Sequence, residues 1–221
     1  MQRGSPTMYR VPQTDDAIAE LDDRNQQIVA AAYDLLDEEG LEGLTIRAVL
    51  QRTGLARRAL YDRFAGKDDL VLAVFAHTLR RAAEQFGEQV RDLPDPLARL
   101  HHIVTAIVIG RAAIDGDWQG GQRRSAALSR EHLRLAEARP VELQKAVSPL
   151  IDLIATILSE GMAEGQVRAG PAPWMALLVY NLVSTTVHSQ LLAEEAAIPD
   201  RQRRSELAVE IWEFCRRAIA A

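Results

Sequence analysis

Apolar residues recur with the spacing of buried helix faces from Arg24 to the end of the chain, and this periodicity constrains the fold more than any other feature. Ile28, Ala31, Ala32 and Leu35 show the i, i+3, i+4, i+7 spacing that places side chains on one side of an α-helix. No segment shows the sustained alternation of apolar and polar residues that a half-buried β-strand requires. The sequence therefore predicts an all-α protein.

Glycine, proline and capping residues divide this pattern into short and long helices. Residues 1–23 are polar and aperiodic and are interpreted as a flexible arm. Three short helices are predicted over residues 24–69, and a fourth helix begins near Lys67. A break at residues 92–96 follows, and the next helix is expected to start near Leu97. After a loop at residues 115–121, four further helices are expected, at residues 123–135, 140–165, 171–194 and 205–221. Residues 70–221 are thus predicted to form a larger helical body.

Composition indicates a soluble protein of the reducing cytoplasm. The first twenty residues contain no apolar segment of the kind found in signal peptides, and the apolar runs are shorter than the roughly 20 residues that span a bilayer. Cys215 is the single cysteine and has no partner for an internal disulfide. We therefore expect neither a membrane partner nor a secreted, disulfide-stabilised fold.

Positive charge is concentrated in one short segment of an acidic chain. Six basic residues and one acidic residue lie between Thr45 and Lys67, a local net charge of +5 in a chain whose net charge is −5. Because charge acts where it is placed, this segment is a candidate nucleic-acid surface. The alternative is that these residues form the solvated side of small helices.

The same segment has the organisation of a helix-turn-helix. Gly54 lies in a tight turn between two short helices, apolar residues hold them together, and the outer face of the second helix is basic. Arginine can form two hydrogen bonds to a guanine edge or to a phosphate, and helix N-termini favour phosphate oxygens. The candidate DNA-binding residues are Thr45, Arg47, Arg57, Arg58, Tyr61, Arg63 and Lys67.

The run from Thr45 to Leu70 resembles the DNA-binding signature of the TetR family. A helix-two threonine, a glycine turn, a Leu-Tyr-x-x-Phe run and a Lys-acid-x-Leu start of helix four all fall in register, at Thr45, Gly54, Leu60, Tyr61, Phe64, Lys67 and Leu70. The resemblance is strong over residues 24–79. It implies three DNA-binding helices followed by a body that binds a ligand and dimerises.

Three residues depart from the family pattern. Ala56 replaces the usual Ser or Thr, so we expect the recognition helix to lack a side-chain cap, at a cost of about 1 kcal/mol. Arg58 replaces a small residue and is a candidate for an additional phosphate or base contact. Leu50 also replaces a small residue, which implies different packing between helices two and three.

The resemblance implies a small-molecule site among helices four to eight. The candidate ligand-binding residues are Phe75, His102, Trp118, His132, Asp152, Trp174, Tyr180 and Asn181. Each of these residues has an alternative role in packing or on the surface. A mostly apolar site with a few polar groups is expected, because small-molecule pockets generally have this composition.

The family also implies a homodimer that pairs the last two helices of each copy. The candidate interface residues are Leu182, Val183, Val187, Ile211, Trp212 and Cys215. The alternative is that these residues belong to the core of a single chain.

The function indicated is a transcriptional regulator, most simply a repressor that a small molecule releases from a palindromic operator in double-stranded DNA. An effector-independent regulator and an activator remain as alternatives. An enzyme is disfavoured because the sequence has no phosphate-binding glycine loop, no zinc-type Cys/His spacing and no His-Glu-x-x-His. Neither a cofactor nor a metal is predicted.

Overall fold

The fold is a helical array, seen in a computed structural model that describes residues 14–110, 118–194 and 200–221. Side chains are described within these ranges except at residues 14–22, 118–127, 194 and 201. The helices are α1 (Thr14–Gly43), α2 (Ile46–Thr53), α3 (Arg57–Tyr61), α4 (Lys67–Val90), α5 (Pro96–Ile109), α6 (Trp118–Ala138), α7 (Pro140–Ala163), α8 (Ala172–Glu194) and α9 (Arg201–Ile219). The only β pairing among the described residues is an isolated bridge between Val167 and Ala220. The all-α prediction is confirmed.

Two helices begin earlier than their apolar periodicity indicated. Helix α1 starts at Thr14, inside the segment interpreted as an arm, and α6 starts at Trp118, inside the predicted loop. The residues added to α1 are mostly polar, so periodicity has no signal there. The remainder of the predicted arm and loop lies outside the described residues.

Glycine interrupts or ends the first two helices where the sequence indicated. Helix α1 is interrupted at Gly40, whose φ is 72°, and α2 is closed by Gly54, whose φ is 68°. Both angles lie in the left-handed region, where a side chain would strain the backbone. The local sequence therefore specifies the interruption of α1 and the end of α2.

Buried apolar side chains form two clusters. The N-terminal cluster joins α1, α2, α3 and the start of α4, with Ile28, Leu44 and Leu60 fully buried in it. The body cluster joins the rest of α4 to α5–α9. Helix α4 belongs to both, since Val74 packs in the N-terminal cluster and Phe75 in the body cluster. A movement of α4 relative to the body would therefore displace the N-terminal helices that pack against it.

Helix α7 forms the centre of the body. By length and composition alone it would be long and apolar enough to cross a membrane, and it is the one such helix in the described part of the chain. In the fold it packs mainly against α4 and α8, and its buried side chains are part of the body cluster. A core helix of a soluble bundle has the same composition, so its apolar character is explained by burial.

Candidate functional site

Helix α2 is held at both ends by its own sequence. The Thr45 hydroxyl accepts a hydrogen bond from the Ala48 backbone N–H at 3.1 Å, which is an N-cap. At the other end, the Gly54 backbone N–H donates to the Leu50 carbonyl. The turn that follows brings α3 against α1 through buried Leu60. Thr45 therefore has a structural role at the position where a phosphate contact is predicted.

Helix α3 presents a basic face to solvent. Arg57, Arg58 and Tyr61 are all exposed, whereas Leu60 is buried on the opposite side. The Arg57 guanidinium lies 5.4 Å from the centre of the Tyr61 ring, and its Nη2 is 3.4 Å from the Tyr61 hydroxyl. These two side chains therefore form one unit. Arg58 makes no ion pair or side-chain hydrogen bond with the described residues, so its guanidinium remains available.

Helix α3 has no side-chain N-cap, as the sequence predicted. Ala56 occupies the N-cap position and makes no side-chain hydrogen bond. The backbone N–H groups of the first turn thus have no side-chain acceptor at that position. These donors face the same end of α3 as Arg57 and Arg58, where an anion is favoured.

The remaining predicted DNA-binding residues differ in how many of their side-chain donors are available to DNA. Arg47 is exposed on α2 and makes no ion pair with the described residues. Arg63 Nη1 donates to the Ala59 carbonyl at 2.7 Å, and Lys67 Nζ donates to the Leu41 carbonyl at 2.9 Å. The Lys67 ammonium is exposed and has three donors, so two stay available to a phosphate. Arg63 is half-buried and is the least available of the set.

Arg52 belongs to the basic segment but is already neutralised by an acidic partner. Its guanidinium forms two hydrogen bonds with the Glu38 carboxylate, at 3.0 and 2.6 Å. This interaction lowers the pKa of Glu38 below its usual value. Arg52 thus ties α2 to α1, and its charge contributes less to the basic surface than the sequence indicated.

Ion pairs connect the start of α4 to the body. Arg134 of α6 donates hydrogen bonds from Nη2 and Nη1 to the Asp68 carboxylate, at 3.0 and 3.2 Å. Arg139, which precedes α7, binds Asp69. The Arg139 hydrogen bond and the Ala65 backbone N–H lower the pKa of Asp69. These contacts begin one residue after Lys67, so the basic surface and the body meet at this point.

A cavity of about 220 Å³ lies between α4, α5, α6, α7, α8 and α9. Most of its lining is apolar. The polar lining comes from six side chains on four helices: Thr78, Ser129, Tyr180, Ser184, His188 and Arg204. A mostly apolar cavity with a few polar groups is the composition of a small-molecule site.

Only some of the predicted ligand-binding residues are at this cavity. Phe75 and Tyr180 line it, and the His132 ring lies 5.6 Å from that of Phe75. Asp152, Trp174 and Asn181 are exposed and are not among its lining residues, which corrects the prediction for them. These three side chains lie on the outer faces of α7 and α8, where polar and aromatic residues also occur. Trp118 lies outside the residues whose side chains are described.

His102 lies in a different cleft. Together with His101 and Thr105 it lines a space of about 350 Å³ between α5 and Leu93, which lies in the turn after α4. Its Nε2 is 3.1 Å from the Gln89 side-chain oxygen. His101 stacks on Trp212 with 4.8 Å between the ring centres. Two adjacent residues on one helix thus point to different neighbours, and His102 is not part of the central cavity.

Two half-buried histidines form a pair at the cavity, which His188 lines. The rings of His132 and His188 lie 4.6 Å apart, and burial lowers the pKa of both. The pKa of His188 falls to about 4, with a further contribution from His132. Both rings are therefore neutral near pH 7. Nδ1 of His132 is buried and has no hydrogen-bond partner among the described residues.

Sequence reasoning missed His188 and Arg204, although a signal for each was present. His188 follows Tyr180 and Ser184 at intervals of four, so it shares their face of α8. Arg204 precedes Ala208 and Ile211 by four and seven residues, which places it on the buried stripe of α9. An arginine on an apolar helix face is the informative exception, because charged residues are seldom fully buried.

The six predicted interface residues belong to the core of the chain itself. Val183, Ile211, Trp212 and Cys215 are buried in the body cluster, and Leu182 and Val187 pack against it. The prediction is corrected for the four buried residues, because a side chain buried in its own chain cannot contact a second copy. For the partly buried Leu182 and Val187 it stays a prediction. Helix α8 is apolar on nearly all sides, so its periodicity does not identify the outward face.

Comparison with known proteins agrees with this geometry. The sequence profile of "Bacterial regulatory proteins, tetR family" matches residues 28–74, the range that contains the helix-turn-helix and the N-terminal cluster. Residues 28–74 therefore form a DNA-binding domain of the TetR family. The helix-turn-helix of this domain consists of α2 and α3.

Similarity to two curated regulators covers different shares of the chain. The regulator HbdR from Aromatoleum sp. (strain CIB) is 29% identical over 86 residues, which are 39% of this chain and 38% of that protein. The fatty acid metabolism regulator protein of Bacillus subtilis (strain 168) is 19% identical over 172 residues, covering 76% of this chain and 84% of that protein. The chain thus aligns with little more than a third of the first relative.

Solved structures share the whole TetR-family fold. A regulator from Pectobacterium atrosepticum has a TM-score of 0.70 at 17% identity, over 92% of this chain and 97% of that one. The regulator FadR from Bacillus subtilis, in complex with stearoyl-CoA, has a TM-score of 0.62 at 16% identity, over 86% and 96% of the two chains. At these identities the likeness concerns the fold.

The histidine pair makes the stability of the folded chain depend on pH. Below about pH 6.5 the unfolded chain protonates His188, whereas the folded chain stays neutral there until about pH 4. The stability contributed by the neutral ring is therefore complete above pH 6.5 and is lost as the pH falls towards 4. After allowance for the partial exposure of His188, we expect a loss of about 2 kcal/mol by pH 4.5 relative to His188→Gln.

Urea unfolding of the wild type and His188→Gln at pH 7 and pH 4.5 measures this difference. His101→Gln is the matched control, because that ring is exposed. A pH dependence that is identical in the wild type and His188→Gln would show that His188 is not held neutral by the fold.

Proposed function

We propose that this chain is a cytoplasmic, homodimeric repressor that binds a palindromic operator through α3 and is released by a small molecule in the central cavity. Residues 24–69 form the DNA-binding part, and residues 70–221 form the ligand-binding and dimerising part. The observation that carries the proposal is the exposed basic face of α3, which lies in register with the family motif. The cavity and its links to α4 support control by a ligand.

The recognition surface separates base contacts from phosphate contacts. Arg58 lies near the N-terminus of α3, the part of a recognition helix that reaches base edges in the major groove. Tyr61 and Lys67 flank it and suit phosphate oxygens through a hydroxyl and an ammonium. Arg57 stacks on Tyr61, so substitution of one disturbs the other. Arg58 is therefore the cleanest site at which to test base recognition.

Exposed apolar side chains support dimerisation through the last two helices. Among the described residues, seven large hydrophobic side chains are exposed, and four of them lie on α8 and α9. These four are Trp174, Leu178, Val209 and Phe214, with exposures of 57, 50, 60 and 65%. Apolar side chains concentrated on one pair of helices mark an interaction surface. They replace the buried residues named from the sequence as the proposed interface.

Two structural links lead from the cavity to the DNA-binding part. The first is α4, which carries Lys67 at its start and lines the cavity with Phe75, Thr78 and other residues of its middle. The second is α6, which lines the cavity at Leu128 and binds Asp68 through Arg134. A ligand that changes the packing of either helix shifts α4. The two recognition helices of a dimer then lose the spacing of about 34–36 Å between successive major grooves.

The first prediction concerns base recognition. Arg58→Ala is expected to weaken binding to an operator selected from random fragments by about 1–3 kcal/mol, with a smaller loss on random DNA, because a guanidinium on a base edge carries sequence preference. Fluorescence anisotropy on both DNAs measures the two affinities. Arg91→Ala is the matched control, since Arg91 is exposed at the other end of α4, about 35 Å from Lys67. An equal loss of affinity for both DNAs would show that Arg58 contacts the phosphate backbone of the DNA.

The second prediction concerns the oligomeric state. Phe214→Glu and Leu178→Glu are expected to convert a dimer into a monomer, because each places a charge in the proposed apolar interface. Light scattering coupled to gel filtration measures the mass. Leu133→Glu is the control, because Leu133 is equally exposed but lies on α6. A wild type that is monomeric, or variants that stay dimeric, would contradict the interface.

The third prediction concerns coupling and needs no effector. Because coupling between two sites is reciprocal, operator binding must alter the body. We expect operator to slow hydrogen exchange of the α6 amides around residues 128–132. The variant Arg134→Gln/Arg139→Gln should lose part of this change, since it lacks the ion pairs to Asp68 and Asp69.

Arg216→Gln is the control for that experiment. It removes an exposed ion pair with Glu213 inside α9, away from the DNA-binding part. If the double variant kept the full operator-dependent protection of α6, the ion pairs would have no part in the coupling, and α4 alone would transmit it.

A further inference from the structure

The central cavity is long and narrow. Its described lining runs from Phe75 to Phe86 on α4 and from Tyr180 to Leu191 on α8. The end residues of both stretches are eleven positions apart, so each stretch extends about 16 Å along its helix. A compact cavity of 220 Å³ would be only about 6 Å across. The space is therefore extended along both helices.

The α4 side of the cavity is a single apolar stripe. Its members follow the i, i+3, i+4, i+7, i+11 spacing and therefore share one face of the helix. They are Phe75, Thr78, Leu79, Ala82 and Phe86. The Thr78 hydroxyl donates its hydrogen to the Val74 carbonyl at 2.8 Å, so this polar side chain is already bonded to the helix backbone. The stripe suits a hydrocarbon chain along its whole length.

The α8 side of the cavity carries hydrogen-bonding groups. Tyr180, Ser184 and His188 follow one another at intervals of four residues, which are about 6 Å each. The Tyr180 and Ser184 hydroxyls share a hydrogen bond. Next to the His188 ring, Nδ1 of His132 is buried and has no hydrogen-bond partner among the described residues. A ligand in this space therefore meets polar groups along α8 and apolar groups along α4.

We propose that the effector is a linear aliphatic molecule of about ten carbons, which lies extended along α4 with its polar head group on the α8 side. This inference rests on the proposed function, because it names the ligand class of the same cavity. Bond lengths near 1.5 Å and angles near 111° advance an extended chain by about 1.25 Å per carbon, so ten carbons span about 11 Å and six carbons about 6 Å. The longer chain fits the cavity and contacts most of the α4 stripe. The shorter chain leaves more than half of its length empty.

The first test measures how affinity grows with chain length. 1-Hexanol, 1-octanol and 1-decanol are titrated into the whole chain by calorimetry at pH 7, with 1-hexanol in competition against 1-decanol. Each further methylene that becomes buried is expected to raise the affinity about fourfold, so 1-decanol should bind at least about twentyfold more tightly than 1-hexanol. A compact cavity would already be filled by the shorter alcohol. A smaller ratio, or no binding of 1-decanol up to its solubility limit, would overturn the proposal.

A variant in the middle of the α4 stripe locates the bound chain. Ala82→Phe places a ring inside the cavity and shortens the space that a chain can occupy. We expect it to lower the 1-decanol affinity at least about tenfold and to leave 1-hexanol within about threefold, because only the longer chain loses buried methylenes. Ala136→Phe is the matched control, since it makes the same change at an exposed position of α6. An unchanged 1-decanol affinity in Ala82→Phe, or an equal loss for both alcohols, would also overturn the proposal.

Two readouts keep the outcome decisive. If Ala82→Phe does not fold, Ala82→Leu replaces it and is judged by the same criterion. Operator affinity is measured on the same samples. If 1-hexanol binds as tightly as 1-decanol and releases operator, this inference fails and the proposed function stands. If affinity rises with chain length but 1-decanol leaves operator affinity unchanged, this inference stands for the ligand class and the proposed release mechanism fails.

Discussion

The structure depends on one constraint, which is that α4 packs in two hydrophobic clusters at once. Val74 faces the N-terminal cluster and Phe75, the next residue, faces the body cluster. Ion pairs from Asp68 and Asp69 to the body hold the first turn of the same helix. Close packing transmits displacement, since protein interiors have few voids to absorb it. The position of the recognition helix is therefore tied to the shape of the cavity that α4 also lines.

The sequence predicted most of the helices and the DNA-binding segment because their signals are local. Gly54 and Thr45 define the ends of α2 through backbone conformation and a side-chain cap, and both are read directly from residue type. The basic face of α3 follows from spacing alone. The early starts of α1 and α6 were missed because polar residues continue a helix without adding apolar periodicity. Helix type is thus more predictable here than helix length.

The lining of the cavity was predicted only in part, and four predicted interface residues lie in the core, because both depend on which face of a helix meets which neighbour. Trp174 and Trp212 are both tryptophans on the last two helices, yet the first is exposed and the second lies in the core. Spacing separates helix faces but does not say which face is inside when a helix such as α8 is apolar on nearly all sides. Arg204 shows the converse case, in which one charged residue on a buried stripe identifies the site better than the aromatic residues do.

Energetics decide which link must carry the proposed release of DNA. Reversing a 99:1 preference between two states requires about 5.5 kcal/mol of differential binding. Ion pairs that water still reaches contribute about 0–1 kcal/mol each, so those of Arg134 and Arg139, which are partly exposed, together supply about 2 kcal/mol. The remainder corresponds to about 140 Å² of apolar surface buried in one state and not in the other. The α4 wall of the cavity is where such a difference can arise. Helix packing against the ligand therefore has to drive the transition, and the ion pairs adjust its balance.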